Sequence, residues 1–292
     1  MREDPLRAIV EITLIVAVGA AFAWAGSQGG VEVGGWSVFA LCAALSFGLN
    51  VVFFVPAYAF QTERYFDIAG SCTHLLMLAS ALYLSDRFAP RDLVLAGMVA
   101  FWAVRLGSFL FGRVTRDGSD GRFDRIKVRF GRFLMAWVLQ GLWVLFTGAC
   151  ALAAITSDHQ APLGVLAIIG LALWLLGIAI EITADNQKSR FRRVPENKGR
   201  FITIGLWSWS QHPNYFGEIL LWSGVALAAL PAISGWQYAT LISPVLSYVL
   251  LTRISGVPLL DARAERRWGD DPDYKRYIQE TPVLVPRPPK ST

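Results

Sequence analysis

The sequence predicts an all-α fold, a polytopic membrane bundle of seven or eight spanning helices, and three observations carry that expectation. Of the 292 residues, 54% are hydrophobic and only 17% charged, where a soluble domain averages about a quarter charged. Apolar runs near the ~20 residues that cross a bilayer recur along the whole chain. Basic residues fall almost entirely between alternate runs, as the positive-inside rule requires of a multi-span protein. The same composition excludes intrinsic disorder, a disulfide scaffold and a collagen-like chain.

Taken in order, the candidate spans cover residues 8–25, 36–60, 68–84, 92–112, 133–156, 162–183, 215–231 and 236–254. The first resembles a signal peptide, with Arg2 and Arg7 ahead of it and Ala23-Trp24-Ala25 shaped like a cleavage site. Its apolar run is longer than a signal core and carries Glu11, so an uncleaved first span is expected. The second is long enough to tilt or bend near Pro56, and the third and seventh are short. Seven spans, with one segment only partly embedded, is the alternative.

With the N-terminus in the cytoplasm and eight spans alternating, two basic residues precede the first span and Arg64 follows the second. Seven more lie from Arg113 to Arg132, six from Lys188 to Arg200 and eight from Arg253 onward, together 24 of the 27 Lys and Arg. Both termini are therefore expected in the cytoplasm, in a membrane such as the bacterial inner membrane. The formal net charge of +5 sits on short interhelical loops, a placement that speaks for membrane lipids or an anionic ligand and against nucleic acid. Cys42, Cys72 and Cys150 are scattered in apolar runs and read as small buried hydrophobes, with neither disulfide nor metal-site spacing.

Several polar residues exceed what topology needs. Arg105 lies inside an apolar span, where an arginine is costly unless it is paired or faces a polar cavity. With Arg113 and Arg116 in the following Arg-Asp loop it can converge on one cytoplasmic pocket. Glu181 and Asp185, four apart, share a helix face at the end of the sixth span. There they would oppose the helix dipole and need cations or ligand hydroxyls nearby. The stretch 207–218 is the most informative. Pro213 suits the first position of a helix, whose opening turn then carries Asn214, Tyr215 and Glu218, with His212 at the cap. His74, inside the third span, reads as an interhelical hydrogen-bonder. The loop holding Glu63 and Tyr65 leads into that span at Asp67, and a carboxyl partly desolvated there holds its proton more tightly than one in water. No Gly-x-Gly-x-x-Gly or phosphate-loop motif occurs, so there is no Rossmann fold.

Residues 210–218, Ser-Gln-His-Pro-Asn-Tyr-Phe-Gly-Glu, resemble the C-terminal signature of the steroid 5-alpha-reductase superfamily, and more closely its bacterial DUF1295 branch. Arg105-Leu106-Gly107-Ser108, the run 120–123, Asp185 through Arg192, the run 255–260, Tyr274 and Tyr277 support the resemblance. It implies one membrane domain over residues 1–292. Residues 1–100 would line a substrate pocket, and 101–286 would bind NADPH on the cytoplasmic side without a Rossmann fold. By position it makes Arg105, Arg113, Arg116, Asp185, Arg192, Arg200, His212, Asn214, Tyr215 and Glu218 cofactor contacts, with the arginines on phosphates.

The reaction implied is reduction of a carbon–carbon double bond conjugated to a carbonyl in an apolar, steroid-like or other lipid substrate. The chain departs from the steroid-reducing members in having Trp102 where they carry a tyrosine, and in lacking their Gln-Glu pair. Asp67 best fits the spacing for the acid, Glu63 is the second candidate and Tyr65 could supply a hydroxyl. The rival readings are an isoprenylcysteine-type S-adenosylmethionine-dependent methyltransferase, whose cofactor carries no phosphate, and a non-catalytic lipid-binding or transport protein.

Overall fold

The computed structural model describes residues 5–118, 121 and 123–289; Arg2, Asp120 and Arg122 of the sequence reading lie outside the described residues. It is a helical bundle. The helices are α1 (Pro5–Ser27), α2 (Val38–Ala59), α3 (Phe66–Ser85), α4 (Pro90–Asp117), α5 (Phe130–Thr156), α6 (Val165–Arg193), α7 (Pro213–Ala229), α8 (Ile242–Val249), α9 (Val257–Trp268) and α10 (Pro272–Glu280). Among the described residues eight helical stretches are long and apolar enough to cross a membrane, so the chain is a multi-pass membrane protein of the expected class.

Where helices start and stop follows local chemistry. Between α1 and α2 a two-strand hairpin, Glu32–Val33 against Trp36–Ser37, turns on Gly34 and Gly35 at φ +60° and +80°. That is the mirror-image turn that glycine adopts without steric cost. Pro90 and Pro213 open α4 and α7 at first-turn positions, where no N–H is needed.

Three expectations shift. The fourth and sixth spans continue as helix to Asp117 and Arg193, so Arg113, Arg116, Lys188 and Arg192 stand on helices and not on loops. Asp185 is consequently two turns short of the α6 terminus. The last turn carries Arg190, Arg192 and Arg193, which complements the helix dipole. The eighth span is not one α-helix. It is a 3-10 stretch Gly235–Leu241, then α8, then a π turn Leu250–Ile254 that leads into α9.

The backbone divides into two compact units, one of Met1–Ile168 with Val225–Ser243 and one of Ile169–Gly224 with Pro244–Thr292. In the first, α5 is the central helix and α1, α2 and α3 pack on it. Several of its buried polar side chains are hydrogen-bonded between helices or to backbone carbonyls. Gln140 donates to Asn50 Oδ1 (3.0 Å) and to the Phe66 carbonyl (2.8 Å). His74 Nδ1 donates to the Gly70 carbonyl (3.0 Å), and its Nε2 lies 2.9 Å from Thr147 Oγ1 on α5, the interhelical role its position suggests. Arg91 is buried and donates to the carbonyls of Ala161, Pro162 and Ala228. It thus satisfies two loop carbonyls and one from the last turn of α7, whose carbonyls lack intrahelical partners.

In the second unit α6 and α7 meet backbone to backbone. A Cβ on Gly217 would fall 2.6 Å from the Gly177 carbonyl oxygen, and one on Gly177 would fall 2.6 Å from that of Gly217. Two turns further along, a Cβ on Gly224 would fall 2.5 Å from the Gly170 carbonyl. Small residues repeated on facing stripes let spanning helices approach closely, which in lipid is the main source of helix association. Gly217→Ala should therefore destabilise the protein by about 1–3 kcal/mol through overpacking, seen as a lower melting temperature in detergent. Gly97→Ala on α4, where a Cβ meets nothing within 4 Å, should leave the melting temperature within error. Equal melting of the two variants would refute this account of the α6–α7 contact.

Candidate functional site

The site is built on the stripe of α6 that continues past Gly177. Glu181, Asp185, Lys188 and Arg192 follow at spacings of four, three and four, so they lie on one face. The stripe runs from two buried carboxylates to two cations. Close approach of the helices puts the first turn of α7 against it: a Cβ on Gly217 would come 2.8 Å from the Glu181 nitrogen. Asn214, one turn earlier on α7, donates from Nδ2 to Asp185 Oδ1 at 3.4 Å. Glu218 is four residues after Asn214, on the same face.

The segment before α7 is clamped on both sides. The Trp207 indole N–H donates to the Ala184 carbonyl (3.0 Å), and the Leu206 N–H donates to Gln187 Oε1 (2.9 Å). Lys188 Nζ stands 4.1 Å from the centre of the Trp207 ring, a cation–π contact. From the other side, Tyr277 Oη donates to the Trp207 carbonyl (2.8 Å). Gln211 donates from its amide to the Thr281 carbonyl (2.6 Å). Ser210 Oγ donates to the Leu284 carbonyl and the Arg287 N–H to that of Trp209. The C-terminal segment is thereby strapped to the entrance of α7.

His212 sits at the cap, where the sequence placed it, and is 6% exposed. Its ring stacks on Tyr215 with centroids 5.4 Å apart and planes at 10°. Nε2 lies 3.4 Å from Asp261 Oδ1, longer than a good hydrogen bond, and Nδ1 has no protein partner among the described residues. Burial pushes its pKa below the ordinary 6.5; Asp261 opposes that shift and Lys188 adds to it.

Between these elements lies a cavity of about 460 Å³, within the usual range for small-molecule sites. Six basic residues line it, Lys188, Arg192, Lys198, Arg200, Arg263 and Arg267, against one acid, Asp261. Its apolar walls are aromatic. Phe201 packs on Trp268, Tyr274 and Tyr277 with centroids 5.7, 5.2 and 5.7 Å away. Burial raises the pKa of Tyr277, and that of Tyr274 is raised by burial and by Asp261 and Glu265, so both hydroxyls stay neutral donors.

Of the sequence-predicted contacts, Arg192, Arg200 and His212 line this cavity, and Asp185, Asn214, Tyr215 and Glu218 stand on the adjoining turns of α6 and α7. Arg105, Arg113 and Arg116 belong to the first unit. They share one stripe of α4 along about 16 Å of its axis, with Arg105 over the Phe109 ring at 5.3 Å. Also in the first unit, buried Glu63 is bound by Lys127 (Nζ–Oε2 2.8 Å), and Tyr65 is exposed and stacks on Phe111. Asp67 is half-buried in the first turn of α3. Trp102 is a core residue, edge-on to His74 at 5.3 Å.

Sequence reading missed Lys188, Lys198, Asp261, Arg263 and Arg267 as site residues, because the basic residues among them were assigned to topology. The pair Arg263 and Arg267 at helical spacing was the available signal.

A family model described as a protein of unknown function, DUF1295, matches residues 53–281. The chain belongs to the DUF1295 family. Of the curated relatives, this DUF1295 chain is 37% identical over 120 residues to 3-oxo-5-alpha-steroid 4-dehydrogenase 1 of Bos taurus, 41% of each chain. The Rattus norvegicus protein of that description is 28% identical over 120 residues, 41% of this chain and 40% of its own length. A probable O-methyltransferase of Ustilaginoidea virens is 30% identical over 97 residues, 30% of this chain and 34% of its own. The chain thus spans about two fifths of the length of the first curated relatives it matches. No solved structure matches it.

Because the folded chain holds His212 neutral below its ordinary pKa, the unfolded chain binds that proton more readily. The stabilising contribution is therefore complete above about pH 6.5 and falls as pH drops. Melting temperatures from pH 8 to pH 5 should decline more steeply for the native chain than for His212→Gln; identical slopes would contradict the assignment.

Proposed function

We propose that this chain is an NADPH-dependent membrane reductase that saturates a carbon–carbon double bond conjugated to a carbonyl in an apolar, steroid-like or other lipid substrate. The observation that carries the reading is the charge of the aromatic-walled cavity, six cations to one acid. A pyrophosphate and a phosphomonoester match such a lining, since guanidinium groups bind phosphate oxygens bidentately. The likeness to two 3-oxo-5-alpha-steroid 4-dehydrogenases supports the reaction class. Residues fit the cofactor in a second respect: Asp185 and Asn214 offer paired acceptor and donor atoms suited to ribose hydroxyls or a carboxamide.

When bound, NADPH supplies a hydride to the β-carbon of the enone. The protein's own part is to bind, orient and manage charge and protons. Lys188, Arg192 and Arg200 hold phosphate, while His212 and Tyr215 present a stacked, flat wall. Negative charge develops on the carbonyl oxygen as the enolate forms, and a positioned acid stabilises it and returns a proton. We assign that role to Asp67, with Tyr65 as a supporting hydroxyl. Glu63, already ion-paired to Lys127, is the weaker candidate, because a carboxylate held by an ammonium has no proton to give. The arginines of α4 remain phosphate contacts in this proposal, and both termini are assigned to the cytoplasm from the loop charges.

The likeness to a probable O-methyltransferase raises a second reading. S-adenosylmethionine carries a sulfonium cation and no phosphate, so six surrounding cations repel it. Purified protein should bind NADPH saturably and fail to bind S-adenosylmethionine; the reverse pattern would overturn the reductase reading. Arg192→Ala should weaken NADPH about 10- to 100-fold, the size of one charge-assisted contact. With an apolar enone as substrate, Asp67→Asn should lower kcat by a factor of about 100 or more while the NADPH Kd stays within twofold. Unchanged turnover in that variant would remove Asp67 from the chemistry.

A further inference from the structure

We infer that the groove between α9, α10 and the C-terminal segment, walled by Asp261, Glu265, Gln211 and Tyr274, binds a linear aliphatic diamine or polyamine. It adjoins the cation-lined cavity, with Asp261 among the residues common to both, but carries the opposite charge. The inference does not rest on the reductase reading.

The groove encloses about 430 Å³ within the second unit. Asp261 and Glu265 are four apart on α9, so they share a stripe with about 6 Å of axial rise between them. Arg263 and Arg267 each follow two residues later, about 200° round the helix, and so face away from the two acids. Among the described residues Glu265 has no cation within 4.0 Å. Asp261 has only His212, whose imidazole burial keeps neutral. A Cβ on Gly269 would fall 2.6 Å from Glu265 Oε1, so this carboxylate stands at the C-terminal end of α9. There the helix dipole makes an anion costly unless a cation joins it.

Tyr274 gives the groove a polar group that the fold does not use. Its ring packs on Phe201 and Trp268 and the residue is only 6% exposed. Its hydroxyl has no hydrogen-bond partner among the described residues. Asp261 and Glu265 are close enough to that hydroxyl to raise its pKa, so it opens on the groove beside them. Gln211 spends its amide N–H groups on the Ile278 and Thr281 carbonyls (3.1 and 2.6 Å), which leaves Oε1 as an acceptor. Ile278 and Val283 supply an apolar wall. Acceptors, two of them charged, beside such a wall suit ammonium groups on an aliphatic stem. A hard divalent cation takes about six or more oxygen ligands in a tight shell, which this wide groove with two carboxylates does not offer. Two carboxylates one turn apart match two ammoniums joined by a few methylenes. An ethanolamine phospholipid offers one ammonium and a phosphate that the same carboxylates repel.

Calorimetry on the full-length protein in a neutral detergent at physiological ionic strength tests this with 1,4-diaminobutane. The diamine should bind saturably and at least tenfold more tightly than n-butylamine, and magnesium chloride at equal concentration should not displace it. Glu265→Gln and Asp261→Asn should each weaken the diamine about tenfold, and Tyr274→Phe about threefold. Glu265 is exposed, so its variant should keep the native melting temperature. Glu280→Gln removes the same charge from α10 two residues round from Ile278, outside the groove lining, and should leave the affinity unchanged. No saturable diamine binding by the native chain would overturn the site. So would equal affinity for butylamine, displacement by magnesium, or undiminished affinity in Glu265→Gln. Failure of NADPH to bind would overturn the proposed cofactor and leave the diamine site standing.

Discussion

The contact on which the candidate site depends is the backbone-to-backbone approach of α6 and α7 at Gly177 and Gly217. Lipid tails are as apolar as leucine, so spanning helices gain little from hydrophobic burial against each other and rely on close packing. Removing Cβ from both sides of the crossing brings the carbonyl of one helix against the other. That approach sets the first turn of α7, with Asn214 and Glu218, beside Glu181 and Asp185 of α6. A wider crossing would leave Asp185 and Asn214 beyond hydrogen-bond reach, since their present separation of 3.4 Å is already near the limit.

Electrostatics then distinguishes the two ends of the site. Next to the glycine crossing it is acidic and buried; further along α6 it becomes cationic and open. The cationic end is held by hydrogen bonds from neutral groups, Trp207 to Ala184, Tyr277 to Trp207 and Trp268 to Gly199. Scaffold and charge are thus separate. Neutral donors and aromatic faces fix the walls, and Arg200, Arg263 and Arg267 line the cavity without a carboxylate partner among the described residues. In a chain with only 17% charged residues, that concentration is the strongest pointer to an anionic cofactor.

Much of the fold was legible because membrane spanning imposes length and apolarity on each segment locally. The eight stretches, the helix start at Pro213 and the hydrogen-bonding role of His74 needed no knowledge of neighbours. Helix ends were less legible where charge replaces apolarity. Lys188 to Arg193 look like a loop by hydropathy, yet they continue α6, because backbone hydrogen bonding does not stop at the membrane surface. The break of the last span into 3-10, α and π pieces was likewise hidden, since its apolar composition is continuous.

The sequence by itself determined the class of protein, the sidedness expected of its charges and the short polar motif at 210–218. These are properties of single segments. Only the tertiary structure decided which cations share a cavity. Arg267 and Gly199 are far apart in the chain, and Trp268 and Phe201 join them through contacts that no local pattern encodes. The motif at 210–218 names the segment that enters the site. The glycine crossing and the aromatic box decide what it faces.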